Sequence, residues 1–132
     1  MRLEIVTPEG PVCTEDVQMV TLPGIEGEMG VLPMHVRLMT QVVPGEITLH
    51  TGDHDRFFAV GEGLVEIAAD HVTILTDMAV AAERIDEARA EEARQRAEAR
   101  LREKISDEEI ASVNASLTRS LAQLRVKRRH RM

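Results

Sequence analysis

The chain has 132 residues, a formal net charge of −7, two Phe, and neither Trp nor Tyr. This length allows one compact domain of about 80 residues with an appendage, but not two large cores. Without aromatic platforms for bases, binding of stacked single-stranded nucleic acid is disfavoured. No apolar run has the form of a signal peptide or the ~20 residues of a membrane span. We therefore expect a soluble intracellular protein with an aliphatic, Met-rich core.

The character of the sequence changes within residues 81–90. Residues 1–82 carry 13 acidic and 3 basic side chains, whereas residues 83–132 carry 10 acidic and 13 basic ones. Before this segment the apolar residues alternate or form short β-branched runs between Gly, Pro and Asp; after it they recur every three or four residues. The pattern predicts an N-terminal antiparallel β-sandwich, residues 1–84, followed by a C-terminal antiparallel two-helix hairpin, residues 85–132.

The first part of the sandwich reads as strands at residues 3–6 and 16–22, joined through a turn at residues 7–11 in which Gly10 can take a positive φ. Cys13 has no disulfide partner, and we expect a buried, inert thiol in a reducing compartment. Residues 23–35 contain three glycines at steps of three, a spacing that favours a folded loop over a strand. A dinucleotide-binding fingerprint is excluded there because no helix follows and Pro33 forbids one nearby.

Five more short strands are predicted, at residues 40–43, 46–51, 57–60, 64–68 and 72–76, with turn clusters between them. Residues 50–55 contain two His and two Asp. A metal site could be drawn from them, but a polar hairpin tip explains the same residues without further assumption. No metal site is therefore assigned.

The second part reads as two capped helices. Asp86 is placed as the N-cap of the first, and Ser106 with Glu109 forms a capping box for the second. The facing stripes are Ala90, Ala93, Ala97 and Leu101 on the first helix, and Ile110, Val113, Leu117, Leu121 and Leu124 on the second. Because so few large apolar residues are available, the hairpin is expected to be marginal by itself and to depend on the sandwich, a ligand or another protein.

Four motifs occur in a fixed order along the chain: residues 6–12, residues 27–35 followed by Thr40 and residues 44–45, residues 85–90, and residues 122–126. In this order and spacing the sequence resembles the epsilon subunit of bacterial F-type ATP synthases, over essentially its whole length. The resemblance implies a sandwich of about ten strands at the foot of the rotor's central stalk. It also implies as partners the gamma subunit, the ring of c subunits and the alpha and beta catalytic subunits, at the cytoplasmic face of the bacterial plasma membrane.

The resemblance also implies site residues in the sandwich. Glu28, Met29, Gly30 and His35 match the part of the family that touches the c ring and gamma. A merely solvated loop is the alternative for Glu28 and His35. Arg37 stands where relatives often have a proline, so the shape of that edge departs from the family pattern.

For the hairpin, the resemblance implies a conformational switch in which the helices leave the sandwich, rise along the stalk and inhibit ATP hydrolysis. The inhibitory element would be a basic end directed at an acidic loop of the beta subunit: Arg119, Arg125, Lys127, Arg128, Arg129 and Arg131, with no acidic residue after Glu109. Without the resemblance, a basic tail that binds nucleic acid fits these residues about equally well.

Residues 85–90 match the signature by which some family members bind ATP in the folded hairpin. The implied ligand set is Ile85, Asp86, Arg89, Ala90, Arg96 and Arg119. The alternative is that Asp86 is only a helix cap and Arg89 a surface charge, because the same signature occurs in relatives that bind ATP poorly. Ser112 and Gln123 also stand where good binders have further basic residues. ATP is thus a candidate regulatory ligand, and no cofactor is expected to be required.

No nucleophile–base pair or phosphate-cradling loop indicates chemistry in the chain itself. Together with this, the resemblance implies a non-catalytic, regulatory rotor subunit that couples proton translocation to ATP synthesis and restrains hydrolysis. Two alternatives remain open at this stage. They are a stand-alone ATP sensor and a basic-tailed nucleic-acid-binding protein.

Overall fold

The computed structural model describes residues 1–130 and contains ten strands followed by two helices. The strands are β1 Arg2–Thr7, β2 Gly10–Asp16, β3 Met19–Gly24, β4 Gly27–Val31, β5 Leu38–Val42, β6 Gly45–His50, β7 Asp55–Val60, β8 Gly63–Ile67, β9 His71–Thr76 and β10 Ala79–Ala81. A 3₁₀ turn at Ala82–Arg84 leads to α1, Glu87–Leu101, and α2, Asp107–Arg129. The predicted division into a strand unit and a helical hairpin is confirmed.

The strands pair in the order β10-β7-β6-β3-β5-β8-β9-β1-β2, with β4 attached to β3. Every pairing is antiparallel except that of β1 with β9, which is parallel. Only Gly24 and Val42 join β3 to β5, so the sheet is weakest at this point and can fold over there. The predicted antiparallel sandwich therefore holds with one parallel exception.

The core of the sandwich is aliphatic. Alternate residues of the strands point into one cluster, as in β1, where Leu3 and Ile5 are fully buried. The cluster draws on both halves of the sheet, since Phe58 of β7 and Ile74 of β9 belong to it, and its last buried member is Ala81. The sandwich thus has a complete core of its own, independent of the helices.

The prediction of a folded loop at residues 23–35 is wrong for its middle part, where β4 pairs with β3. Gly24 and Gly27 close a tight hairpin, in which Gly27 has φ +124° and a Cβ on Gly24 would lie 2.9 Å from the Gly27 carbonyl oxygen. The glycine spacing therefore reflects a hairpin turn and close strand packing. Strand β10 was also not predicted, because three residues are too few to show an alternation.

Both predicted N-caps are confirmed. The Asp86 carboxylate accepts a hydrogen bond from the Arg89 N–H at 3.1 Å, and the Ser106 hydroxyl accepts one from the Glu109 N–H at 3.2 Å. The second half of the capping box is replaced, because the Glu109 carboxylate pairs with Arg100 of α1. This ion pair ties the beginning of α2 to the end of α1.

The predicted apolar stripe of α2 is only partly correct. Leu124 is 2% exposed, but Ile110 and Leu121 are 37% and 39% exposed. The buried residues of this helix are Ser120, Ala122, Leu124 and Val126. The predicted and observed buried residues differ because α2 packs on α1 on one side and on strands β6 and β7 on the other. The prediction considered packing on α1 alone.

Leu124→Ala is expected to lower the free energy of hairpin opening by about 2–5 kcal/mol, because it removes a fully buried side chain and leaves a cavity. Hydrogen exchange of the α1 and α2 amides should accelerate, while exchange in β1 and β9 stays unchanged. Leu121→Ala makes the same chemical change at a half-exposed position and should have a much smaller effect. Equal acceleration by the two variants would contradict this packing.

Candidate functional site

A cleft of about 350 Å³ lies where the sandwich meets the hairpin. It is formed by the end of β10, the 3₁₀ turn, the first turns of α1 and the middle of α2. The lining residues are Val80, Arg84, Asp86, Arg89, Ala90, Ala93, Arg96, Ser120 and Gln123. Both helices and the junction contribute to it, so the cleft exists only while the hairpin is folded.

The charges around the cleft are predominantly positive. Within residues 1–130, Arg84 and Arg89 form no ion pair, and Arg96 is paired only with Glu92, at 3.7 Å between Nη1 and Oε1. Asp86 is the one carboxylate in the lining, and it caps α1. Three guanidinium groups around a mostly neutral floor suit an anion such as a phosphate chain, which arginine can bind through paired N–H donors.

The structure brings together four of the six residues implied as ATP ligands. Asp86, Arg89, Ala90 and Arg96 line the cleft. Ile85 lies behind it, 4% exposed. Arg119 does not line the cleft; its Nη1 lies 3.4 Å from Asp77 Oδ2, in a separate depression on the other side of α2.

Sequence reasoning missed Arg84 and Ser120 as lining residues. Arg84 directly precedes the motif at residues 85–90, so adjacency was the available signal, but the direction of the 3₁₀ turn is set by tertiary packing. Ser120 was missed because the sequence analysis assigned the side of α2 that faces α1 to its large apolar residues. Ser112 lines a groove between the helices that adjoins this cleft at Ala93 and Arg96, whereas Gln123 lines the cleft itself as a neutral residue.

The junction behind the cleft is held by a small apolar cluster, here called the junction cluster, of Ala59, Ala82, Ile85 and Val126. Val126 comes from α2 and Ala59 from β7, so this cluster joins the hairpin to the sandwich. Helix α1 packs mainly on α2 and makes no comparable contact with the strands. The hairpin is therefore docked through one helix, and through small side chains.

Four of the five described residues of the predicted basic tail contact the rest of the folded chain. Arg119 pairs with Asp77, Arg128 with Glu91 at 3.3 Å, and Arg129 with Glu46 at 3.2 Å. Lys127 donates a hydrogen bond to the Ala82 carbonyl oxygen at 3.4 Å. Arg125 is exposed and forms no ion pair among residues 1–130, and Arg131 lies outside the described residues.

The predicted rotor contacts lie at one edge of the sandwich. Glu28 and Gly30 are exposed on β4, a strand paired on one side only, while Met29 is half-buried against the core. His35 follows in the connection to β5, and its Nδ1–H donates a hydrogen bond to the Val36 carbonyl oxygen at 2.6 Å. These four residues thus share one strand edge and the segment after it.

Exposed apolar side chains surround this edge, a feature that the sequence analysis did not anticipate. Leu32, Met34 and Val36 are 57%, 81% and 80% exposed. Met34 also has a positive φ of 68°, which is uncommon for a residue with a side chain of this size. An unpaired strand edge beside exposed apolar residues is typical of an interaction surface.

Two further predictions concern reactivity and ligands. Cys13 is half-buried, and burial is the largest of the effects that raise the pKa of its thiol, which agrees with an inert cysteine. In residues 1–130 no group of three or more His, Cys, Asp and Glu is arranged to hold a metal ion.

No helix within the described part of the chain is long and apolar enough to cross a membrane.

Comparison with known protein families gives two adjacent matches. Residues 1–82 match the beta-sandwich domain of the ATP synthase delta/epsilon chain, and residues 83–128 match its long alpha-helix domain. The chain is 40% identical to the ATP synthase epsilon chain of Herpetosiphon aurantiacus over 96% of its own length and 93% of that protein. It is 42% identical to the ATP synthase epsilon chain of Dehalococcoides mccartyi, over 99% of this chain and 94% of that protein.

Among solved structures, the chain is similar to one in the Euglena gracilis mitochondrial ATP synthase, with a TM-score of 0.72 and 24% identity over 88% of this chain and 74% of that one. A chain in the central stalk and c ring of the Tetrahymena thermophila mitochondrial ATP synthase gives a TM-score of 0.66 and 11% identity, with 96% of each chain covered. These similarities show a shared fold.

The ion pairs of Glu91 make the hairpin sensitive to acid. A hydrogen bond from Arg94, the largest cause, lowers the pKa of Glu91 to about 2, and Arg128 of α2 also contributes. Because the pKa is lowered in the folded state, this stabilisation is present above about pH 4.5 and is lost as the pH falls toward 2. Glu91→Gln should flatten the pH dependence of α1 and α2 amide exchange in this window. Glu92→Gln, an exposed neighbour, is the control; an equal change in both variants would contradict the assignment.

Proposed function

This chain belongs to the ATP synthase delta/epsilon family, and on that premise we propose that it acts as the epsilon subunit of the rotor's central stalk. In this proposal the sandwich binds the gamma subunit and the c ring, and so helps to couple proton translocation to ATP synthesis. The hairpin restrains ATP hydrolysis by the alpha and beta subunits. The chain itself is a regulatory, non-catalytic subunit, held at the cytoplasmic face of the membrane through the complex.

The sandwich has the properties that a rotor contact needs. Its core is complete without the helices, so it can remain rigid while the hairpin moves. The edge strand β4 presents Glu28, and the exposed side chains of Met34 and Val36 lie in the segment that follows. A polar and apolar edge of this kind supports a contact with the loops of the c ring.

The observation that carries the regulatory part of the proposal is the way in which the hairpin is docked. Contact with the sandwich passes through α2, with Val126 in the junction cluster, and this side chain buries little area. Ion pairs at the surface add modestly to this. Release of α2 would therefore free both helices together, at a cost low enough for a partner to supply.

The released helices have sufficient reach and charge for inhibition. Helices of 15 and 23 residues are about 22 and 35 Å long, and about 57 Å end to end, at 1.5 Å per residue. Release from the sandwich frees Arg119, Lys127 and Arg129 from their contacts, and separation of the two helices frees Arg128 from Glu91. An acidic loop of the beta subunit is the partner that this charge favours.

ATP is proposed as the ligand of the cleft formed by Arg84, Asp86, Arg89 and Arg96. Because α1 and α2 both line this cleft, ATP would bind the folded hairpin and not the released one. At a hundredfold excess over its dissociation constant it would stabilise the folded form by about 2.7 kcal/mol. A high ATP concentration would then disfavour the inhibitory form.

The family membership favours this function over the two alternatives from the sequence. The stand-alone ATP sensor differs from the proposed function in one testable property, because such a sensor would not associate with gamma.

The inhibitory role is tested by ATPase assays of the reconstituted complex with the full-length chain and with a chain that ends at Arg84. Removal of the helices is expected to raise hydrolysis several-fold, because the inhibitory element is lost while the sandwich keeps its core. Equal binding of both versions to gamma is the control. Unchanged hydrolysis would show that the helices do not inhibit.

The nucleotide site is tested by calorimetric titration of the full chain with ATP. Arg89→Ala should weaken binding about tenfold or more, because it removes a charge-assisted contact to phosphate. Arg102→Ala removes an exposed arginine directly after α1 that does not line the cleft, and it should leave the heats unchanged. Identical heats for wild type and Arg89→Ala would reject the site.

A further inference from the structure

We propose that the sandwich carries an acidic clamp that holds the basic end of α2 and competes for it with an acidic partner. The clamp consists of Glu46 on β6 and Phe57 on β7, and it holds Arg129 and His130. The proposal rests on the inhibitory role proposed above, because it names the contact that has to break before that role begins.

Both carboxylate oxygens of Glu46 have a partner in the clamp. Oε2 lies 3.2 Å from Arg129 Nη1, and Oε1 accepts a hydrogen bond from His130 Nε2. The His130 ring stacks on the Phe57 ring, with 3.7 Å between centroids and an interplanar angle of 15°. One carboxylate and one ring thus hold two consecutive residues at the end of α2.

Glu46 differs from an ordinary surface carboxylate in its burial. Its side chain is 15% exposed and His130 beside it is 21% exposed, whereas Arg129 is 68% exposed. The contact with His130 is therefore the better shielded of the two from water. Arg129 lies at the C-terminal end of α2, where the helix dipole favours positive charge. An imidazole can donate from Nε2 in its neutral or protonated form, so the clamp does not depend on a single protonation state.

Two more carboxylate contacts hold the same helix. Asp77, after β9, pairs with Arg119, and Glu91 of α1 pairs with Arg128. The folded chain therefore supplies its own carboxylates to three of the arginines that an acidic partner would bind. Asp77 and Glu46 hold Arg119 and Arg129 against the sandwich, so a partner that takes these two side chains has to displace the sandwich, and the two affinities are coupled.

The titratable and charged groups around the clamp come from β6, β7 and the turn between them, the 3₁₀ turn, and the end of α2. Besides Glu46, Arg129 and His130, the adjoining cleft is lined by His54, Asp55, Arg56, Glu83 and Lys127. Arg56 is occupied by Glu15 at 2.9 Å, and Lys127 by the Ala82 carbonyl oxygen. Glu46 is therefore the carboxylate that receives Arg129 and His130.

The first test is hydrogen exchange of the full chain, followed at the amides of residues 119–130. Glu46→Gln keeps the size of the side chain but removes the charge, and exchange at these amides should become about tenfold faster. The control is Glu9→Gln, which makes the same charge change in the exposed turn between β1 and β2. Glu9 forms no ion pair with any of residues 1–130. Equal exchange in the two variants would overturn the clamp.

Arg129→Gln removes the same ion pair by a change on the helix, and it leaves the sandwich unaltered. It should also accelerate exchange at residues 119–130, and in the double variant the effects should be less than multiplicative, because each change already breaks the same pair. If Glu46→Gln also loosens β6 and β7, Arg129→Gln decides the question. Unchanged exchange in that variant would overturn the proposal.

ATPase assays of the reconstituted complex separate this inference from the inhibitory role. Glu46→Gln should lower hydrolysis several-fold relative to Glu9→Gln, because more of the hairpin is released with its basic end intact. Faster exchange in Glu46→Gln with unchanged hydrolysis would confirm the clamp and contradict the inhibitory role. Unchanged exchange with normal inhibition by the full-length chain would contradict the clamp alone.

Discussion

The docking of α2 on strands β6 and β7 is the interaction on which the rest of the structure depends. It combines the junction cluster of Ala59, Ala82, Ile85 and Val126 with ion pairs at the surface, and both are weak by the standard of a domain core. Because α1 is held mainly by α2, this single contact decides whether the hairpin is folded. The sandwich, whose core ends at Ala81, does not depend on it.

The same docking controls both functional surfaces of the hairpin. The arginine-lined cleft needs α1, α2 and the 3₁₀ turn in place, so a ligand bound there favours the folded state. The basic end of α2 is neutralised by Glu46, Glu91 and Asp77 in this state, and it becomes available to a partner only after release. Under the proposed function, ligand binding and partner binding are therefore opposed through one conformational equilibrium.

Much of the fold was predictable because it is encoded in local patterns. The change from alternating to helical periodicity located the two units, and the Asp86 and Ser106 caps follow from short-range hydrogen bonding to the next turn. The glycines at 24, 27 and 30 misled, since a spacing of three does not distinguish a loop from a tight hairpin. The stripe of α2 failed at Ile110 and Leu121 because a helix packed on two surfaces buries a different set of residues from a helix packed on one.

The sequence by itself determined the two units, the order of most strands, the helix caps and the basic character of the chain end, because each depends on residues close together along the chain. Only the tertiary structure decided which arginines share a cleft and which are neutralised. Arg84, Arg89 and Arg96 meet at the junction, whereas Arg119 turns to Asp77 and Arg129 to Glu46. These contacts join residues up to 83 positions apart, and the rotation of α2 on the sheet that creates them is set by side-chain packing, which no local pattern records.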